Sequence, residues 1–153
     1  MMKVQILSRK LIKRATPTPP HLRSYKISPI DQLAPTFYVR TILYYLANGD
    51  ENDDGRRKRL EKSLSEILTL YCPLAGRYIK DDQLVDCNDE GVEYLEAQSA
   101  CFECGGLAIG LIFSHIIADG IAATTFLNAW ATACKVAGIN NNEIVVGKFQ
   151  CYN

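Results

Sequence analysis

Three residues, Ser99, Ala100 and Cys101, separate two segments that both read as β-strand, "VEYLEAQ" ending near Gln98 and "FECGGLAIGLIFSH" beginning near Phe102. A tight hairpin draws on Gly, Asn, Asp or Pro at its corner, because these residues reach positive φ or preset the turn. None of them stands at this join. The two strands therefore lack a proper connection, and any architecture drawn for the chain has to account for that.

The other segments alternate between the two secondary-structure periods. At the start, Val4 and Ile6 alternate with Lys3 and Gln5, which predicts a first strand closed by the breaker "TPTPPH". "SYKISPIDQLAPTFYVRTILYYL" predicts a short turn at Pro29 and Asp31, then a strand from about Thr36 to Leu46. That strand carries apolar residues on both faces, which implies burial within layers. "ANGDENDDG" is a polar, exposed loop.

In "RRKRLEKSLSEILTLY" the residues Leu60, Leu64, Ile67, Leu68 and Tyr71 recur at helical spacing with charges opposite, and Pro73 is expected to stop this helix. Arg56, Arg57, Lys58 and Arg59 follow an acidic loop and read as a solvated face rather than an anion site. Short strands follow, with turns at Asp81-Asp82 and at Asn88-Asp89-Glu90-Gly91, and then a strand kinked or bulged at Gly105-Gly106. A second helix is expected from Ile121 to Ala137, ending at Gly138. The fold class implied is an α/β sandwich.

Composition narrows the functions. A chain of 153 residues holds one domain or a piece of a larger one, and its 48% of hydrophobic residues suffices for a core. With 17 basic against 17 acidic residues there is no electrostatic footprint for nucleic acid or a membrane surface. The beginning of the chain lacks the order of a secretory signal, and the longest apolar run is interrupted by Ser114 and His115 well before the roughly 18 residues of a membrane span. A soluble cytoplasmic protein is the default expectation. The six cysteines offer one close pair, Cys101 and Cys104, and neither His115 nor another pair completes a four-ligand zinc spacing. They read as small buried or half-buried thiols, with no metal expected.

"FSHIIADG", Phe113 to Gly120, is the chemically richest stretch. His115 and Asp119 supply two of the ligands a metal would need. Ser114 is poorly placed as a triad nucleophile, since neighbouring side chains of an extended segment point opposite ways. A histidine whose ordinary pKa is about 6.5 can serve as a general base, and Asp119 stands where a following helix would be capped. A packed core histidine fits the same apolar surroundings. Spacing alone does not decide among these roles.

The blocks "YKISPIDQ", "YCPLAGRY", "VDCNDEGVEYLEA", "FECGGLAIG", "SHIIADG" and "TFLNAWA", in this order, resemble the BAHD acyltransferases, plant enzymes that move an acyl group from coenzyme A to an alcohol or amine. The combination is most similar to the vinorine synthase-like branch, which acetylates alkaloid hydroxyls. The resemblance implies the N-terminal domain of a chloramphenicol-acetyltransferase-like two-domain fold, here incomplete and occupying residues 1–153. It implies that His115 is the general base and that Asp119 supports the loop through a salt bridge.

The cosubstrate implied is acyl-CoA, the acceptor a small-molecule alcohol, with no tightly bound cofactor; the full-length form is expected to be a monomer. The resemblance implies that the family's second domain and its Asp-Phe-Gly-Trp-Gly motif are missing here, and that several dozen residues which the family carries are missing at the join of Ser99 to Cys101. The expectation is a truncated product, inactive alone. The alternative is a non-catalytic fragment that binds or modulates a full-length acyltransferase.

Overall fold

Two amphipathic helices organise the chain, and the strands lie around the core they make. A computed structural model describes residues 4–34, 36–45, 53–99 and 107–137. The strands are β1 (Val4–Ile12), β2 (Ser24–Lys26), β3 (Tyr38–Tyr45), β4 (Arg77–Ile79), β5 (Leu84–Asp86), β6 (Val92–Ser99) and β7 (Leu107–Ser114). The helices are α1 (Asp53–Leu68), the single turn α2 (Cys72–Ala75) and α3 (Gly120–Ala137). Ala100 and Cys101 of the short join, the strand start at Phe102, the bulge at Gly105-Gly106, the Cys101–Cys104 pair and the segment after Gly138 lie outside the described residues, as does the first part of the polar loop from Ala47.

The architecture is mixed α/β, as the alternating segments imply. The strands form three antiparallel groups, β1 with β6, β2-β5-β4, and β3 with β7. β6 and β7, neighbours in sequence, belong to different groups. The β1–β6 ladder runs from Val4 opposite Ser99 to Ile12 opposite Val92, with its register shifted between Ile6 and Ser8. Beyond that bulge, Ser8 donates to Glu96 at 2.7 Å, and the Lys10 ammonium meets Glu61 of α1, tying the ladder to the helix.

α1 and α3 pack along the stripes that spacing predicts. Leu64, Ile67 and Leu68 of α1 join Phe126 and Trp130 of α3, Ile12 and Ala75 in one buried cluster. Trp130 donates its indole N–H to the hydroxyl of the fully buried Ser63 at 3.1 Å, so the polar atom of the largest core side chain is satisfied. Among the described residues, no helix is long and apolar enough to cross a membrane.

Two expectations need correction. α1 begins at Asp53, inside the acidic run, where carboxylates suit the helix N-terminus and Asp54 pairs with Lys58 one turn on at 2.6 Å. It ends at Leu68, before Pro73, because the chain tightens there: the N–H groups of Thr69 and Leu70 donate to the carbonyls three residues back, of Glu66 and Ile67. Pro73 instead stands second in the turn α2, where its missing N–H costs nothing.

The second correction concerns β3. Val39, Thr41 and Leu43 turn inward with Ile109 and Leu111 of β7, but the opposite face is open: Tyr38, Ile42 and Ile112 are 65%, 58% and 68% exposed. Apolar residues on both faces do not bring burial on both.

Candidate functional site

The end of β7 positions the histidine. The β3–β7 ladder closes with Ser114 opposite Tyr38, and one further bond, His115 N–H to Phe37 C=O at 3.0 Å, holds the histidine backbone to the start of β3. There the chain turns. Ser114 contributes its carbonyl rather than its hydroxyl, accepting the N–H groups of Ile117 at 3.0 Å and Ala118 at 3.1 Å. Ile116 and Ala118 are buried and anchor the turn, while the His115 ring stays half-buried.

The imidazole lies against the Phe37 ring, with centroids 4.9 Å apart and planes tilted by 39°. Among the described residues its buried Nδ1 has no hydrogen-bond partner. A buried polar atom left unpaired costs about 1–3 kcal/mol, and such deficits concentrate where a site has work to do. A Cβ at Gly120 would meet nothing within 4 Å, so the helix start beside the histidine turn borders open space.

Asp119 stands immediately before α3 as its N-cap. Its Oδ1 accepts the Ala122 N–H at 2.7 Å, and its carbonyl accepts the Ala123 N–H at 2.9 Å. Such caps contribute about 1 kcal/mol. Among the described residues the carboxylate's partner is this backbone N–H. His115 and Asp119 therefore share one turn and have separate partners. Phe37 was invisible to motif reading, because its contact with His115 depends on strand pairing across most of the chain.

A family model described as "Transferase family" matches the chain in two pieces, residues 2–101 and 98–148. The acetyl-CoA-benzylalcohol acetyltransferase of Clarkia breweri is 37% identical over 174 aligned positions, covering 88% of this chain and 40% of that protein. Stemmadenine O-acetyltransferase of Catharanthus roseus is 36% identical, over 86% of this chain and 42% of its own length. The crystal structure of vinorine synthase superposes with a TM-score of 0.81 at 32% identity, covering 97% of this chain and 46% of that one.

The chain thus spans about 40% of the length of the curated relatives it matches. Since 88% of 153 residues is about 135, some 39 of the 174 positions aligned with the Clarkia enzyme face no residue here. The two pieces of the family match meet at residues 98–101, the join that lacks turn residues. Matched across nearly its whole length in these two pieces, the chain belongs to the Transferase family, the BAHD acyltransferases that its sequence blocks resemble.

Proposed function

We propose that the chain is a partial N-terminal domain carrying the general-base element of a cytoplasmic acyl-CoA-dependent O-acyltransferase, one that moves an acyl group, acetyl by preference, to a hydroxyl of a plant specialised metabolite such as an alkaloid. The observation that carries the reading is the His115 ring, half-exposed at the end of β7 against Phe37 and beside the open start of α3. In this reading the imidazole accepts the proton of the acceptor hydroxyl as its oxygen attacks the thioester carbonyl. The tetrahedral intermediate then collapses, the carbon–sulfur bond breaks, and the departing coenzyme A thiolate takes the proton back from the imidazolium. Acyl-CoA is a cosubstrate throughout, and no acyl-enzyme forms. Asp119 acts on the histidine only through the turn it caps.

A chimera tests this reading. Residues 4–99 and 107–137 replace their counterparts in a full-length relative that keeps its own connecting positions and remaining length. It should release coenzyme A thiol in the presence of an alcohol, and His115→Ala should lower turnover by about 10²- to 10⁴-fold. Turnover unchanged by that substitution would overturn the base assignment. The chain by itself should release no thiol, and turnover by it alone would overturn the partial-domain reading.

The open β3–β7 face supports a second reading, in which the chain is a non-catalytic fragment that binds a full-length acyltransferase and alters its activity. Co-purification with such an enzyme would favour this reading, and a monodisperse monomer in its presence would count against it.

A further inference from the structure

Cys72 and Cys87 stand fifteen positions apart in sequence, and the fold brings their side chains within hydrogen-bonding reach. Cys72 is the first residue of α2, Cys87 directly follows β5, and the β4–β5 hairpin between them turns the chain back on itself. The return is close. A Cβ at Gly76, where α2 ends, would lie 2.5 Å from Val85 Cγ1 and 2.8 Å from the Asp86 carbonyl oxygen, so the end of α2 sits directly on the β5 backbone. Cys87 is fixed from the other side by its N–H, which donates to the Arg23 carbonyl at 2.8 Å.

The two thiols are unequal. Cys72 is half-buried and accessible, while Cys87 is 2% exposed. A hydrogen bond from the Cys87 thiol, with the Arg14 charge nearby, holds the Cys72 thiol well below the ordinary range against the opposing effect of burial. The same hydrogen bond and burial push Cys87 upward. One sulfur is thus prepared as a thiolate and the other keeps its proton.

A separate observation points to an anion beside them. The Arg14 side chain is 4% exposed; its Nη2 donates to the Thr69 carbonyl at 2.8 Å and its Nη1 to Asp89 at 3.4 Å, but its buried Nε has no partner among the described residues. A buried cationic N–H left unmatched is costly, and a thiolate or sulfenate on Cys72 is an acceptor of the right sign.

We propose that Cys72 and Cys87 form a redox-sensitive dithiol, a modification site at which a peroxide converts Cys72 to a sulfenic acid and Cys87 then closes a disulfide between α2 and the end of β5. In the first step the Cys72 sulfur attacks a peroxide oxygen; the S–O bond forms, the O–O bond breaks, and the departing hydroxide takes a proton from solvent to become water. In the second, the Cys87 sulfur attacks the Cys72 sulfur; the S–S bond forms, the S–O bond breaks, and the hydroxyl leaves with the Cys87 proton as a second water. Two electrons pass from the sulfurs to the peroxide. The site stands apart from the acyl-transfer reading and does not depend on it.

The test is oxidation of the folded chain with hydrogen peroxide, followed by peptide mapping without reduction. Two of the six thiols should be lost, with a Cys72–Cys87 cross-link as the main product. Cys87→Ser should stop the reaction at a sulfenic acid on Cys72 that dimedone captures. Cys72→Ser should abolish the cross-link, and before oxidation Cys72 should alkylate about tenfold faster than Cys134 at neutral pH. Cross-links centred on Cys101, Cys104, Cys134 or Cys151, or alkylation of Cys72 no faster than of Cys134, would overturn the proposal.

Discussion

Asp89 is the residue on which the polar interior of this chain converges. It occupies a left-handed position, φ 60, in the turn before β6, and its carboxylate accepts the Thr18 N–H at 3.0 Å and the Thr18 hydroxyl while facing Arg14 and Arg23. The Thr18 hydroxyl and then its N–H hold the Asp89 carboxyl below its ordinary 3.8, and the two guanidinium charges add to this. The folded chain therefore binds this proton less readily than the unfolded chain does. Its contribution is complete above the ordinary value and is lost as pH falls through the lowered one. Asp89→Asn should cost about 1–3 kcal/mol near neutral pH, because it removes charge-assisted bonds and leaves the buried Arg14 without its anion. In urea melts taken from about pH 5 down to about pH 2, the gap between native and variant should close. A gap that stays constant with pH would show that the hydrogen-bonding shape of the side chain, not its charge, is what matters.

At the scale of elements, the α1–α3 contact is the main fastening. Two leucines two positions apart, one at the end of α1 and one just beyond it, separate the burial effect from general disturbance: Leu68 is 1% exposed and Leu70 is 54% exposed. Leu68→Ala should lower stability by about 2–5 kcal/mol, whereas Leu70→Ala should stay within about 0.5 kcal/mol, both read from denaturant midpoints. The contrast also marks what the sequence makes legible. Helical spacing identifies the inward residues of α1 because burial of one stripe is what forms it. The end of α1 is not legible in that way: it depends on the tightening at Thr69 and Leu70, which leaves no compositional mark, and Pro73 a few residues later draws attention to the wrong place. Nor is the bulge in β1, since Ile6 and Leu7 are both apolar and both exposed. The site divides similarly. His115 and Asp119 are visible as a motif in one short stretch, whereas Phe37 becomes a neighbour of His115 only through pairing of distant strands, and Cys87 comes beside Cys72 only through the β4–β5 hairpin between them.

At the scale of the whole molecule, the outer face of β3 and β7 carries apolar side chains into water, with Tyr38, Ile42 and Ile112 spread across both strands. A surface of this kind promotes association. Ile42→Lys combined with Ile112→Lys should reduce concentration-dependent light scattering with little change in the melting transition, because neither residue belongs to the buried cluster. Scattering that is unchanged would locate the association elsewhere. The assignment of β6 and β7 to separate strand groups has a mechanical consequence. Only residues 100–106 run from the end of β6 to the start of β7, and seven residues reach at most about 25 Å even when fully drawn out. The family match breaks into its two pieces at the beginning of that tether, at residues 98–101. The end of β6 can therefore move no further than that reach from the strand that ends at His115, and amide exchange in the two strands should rise together.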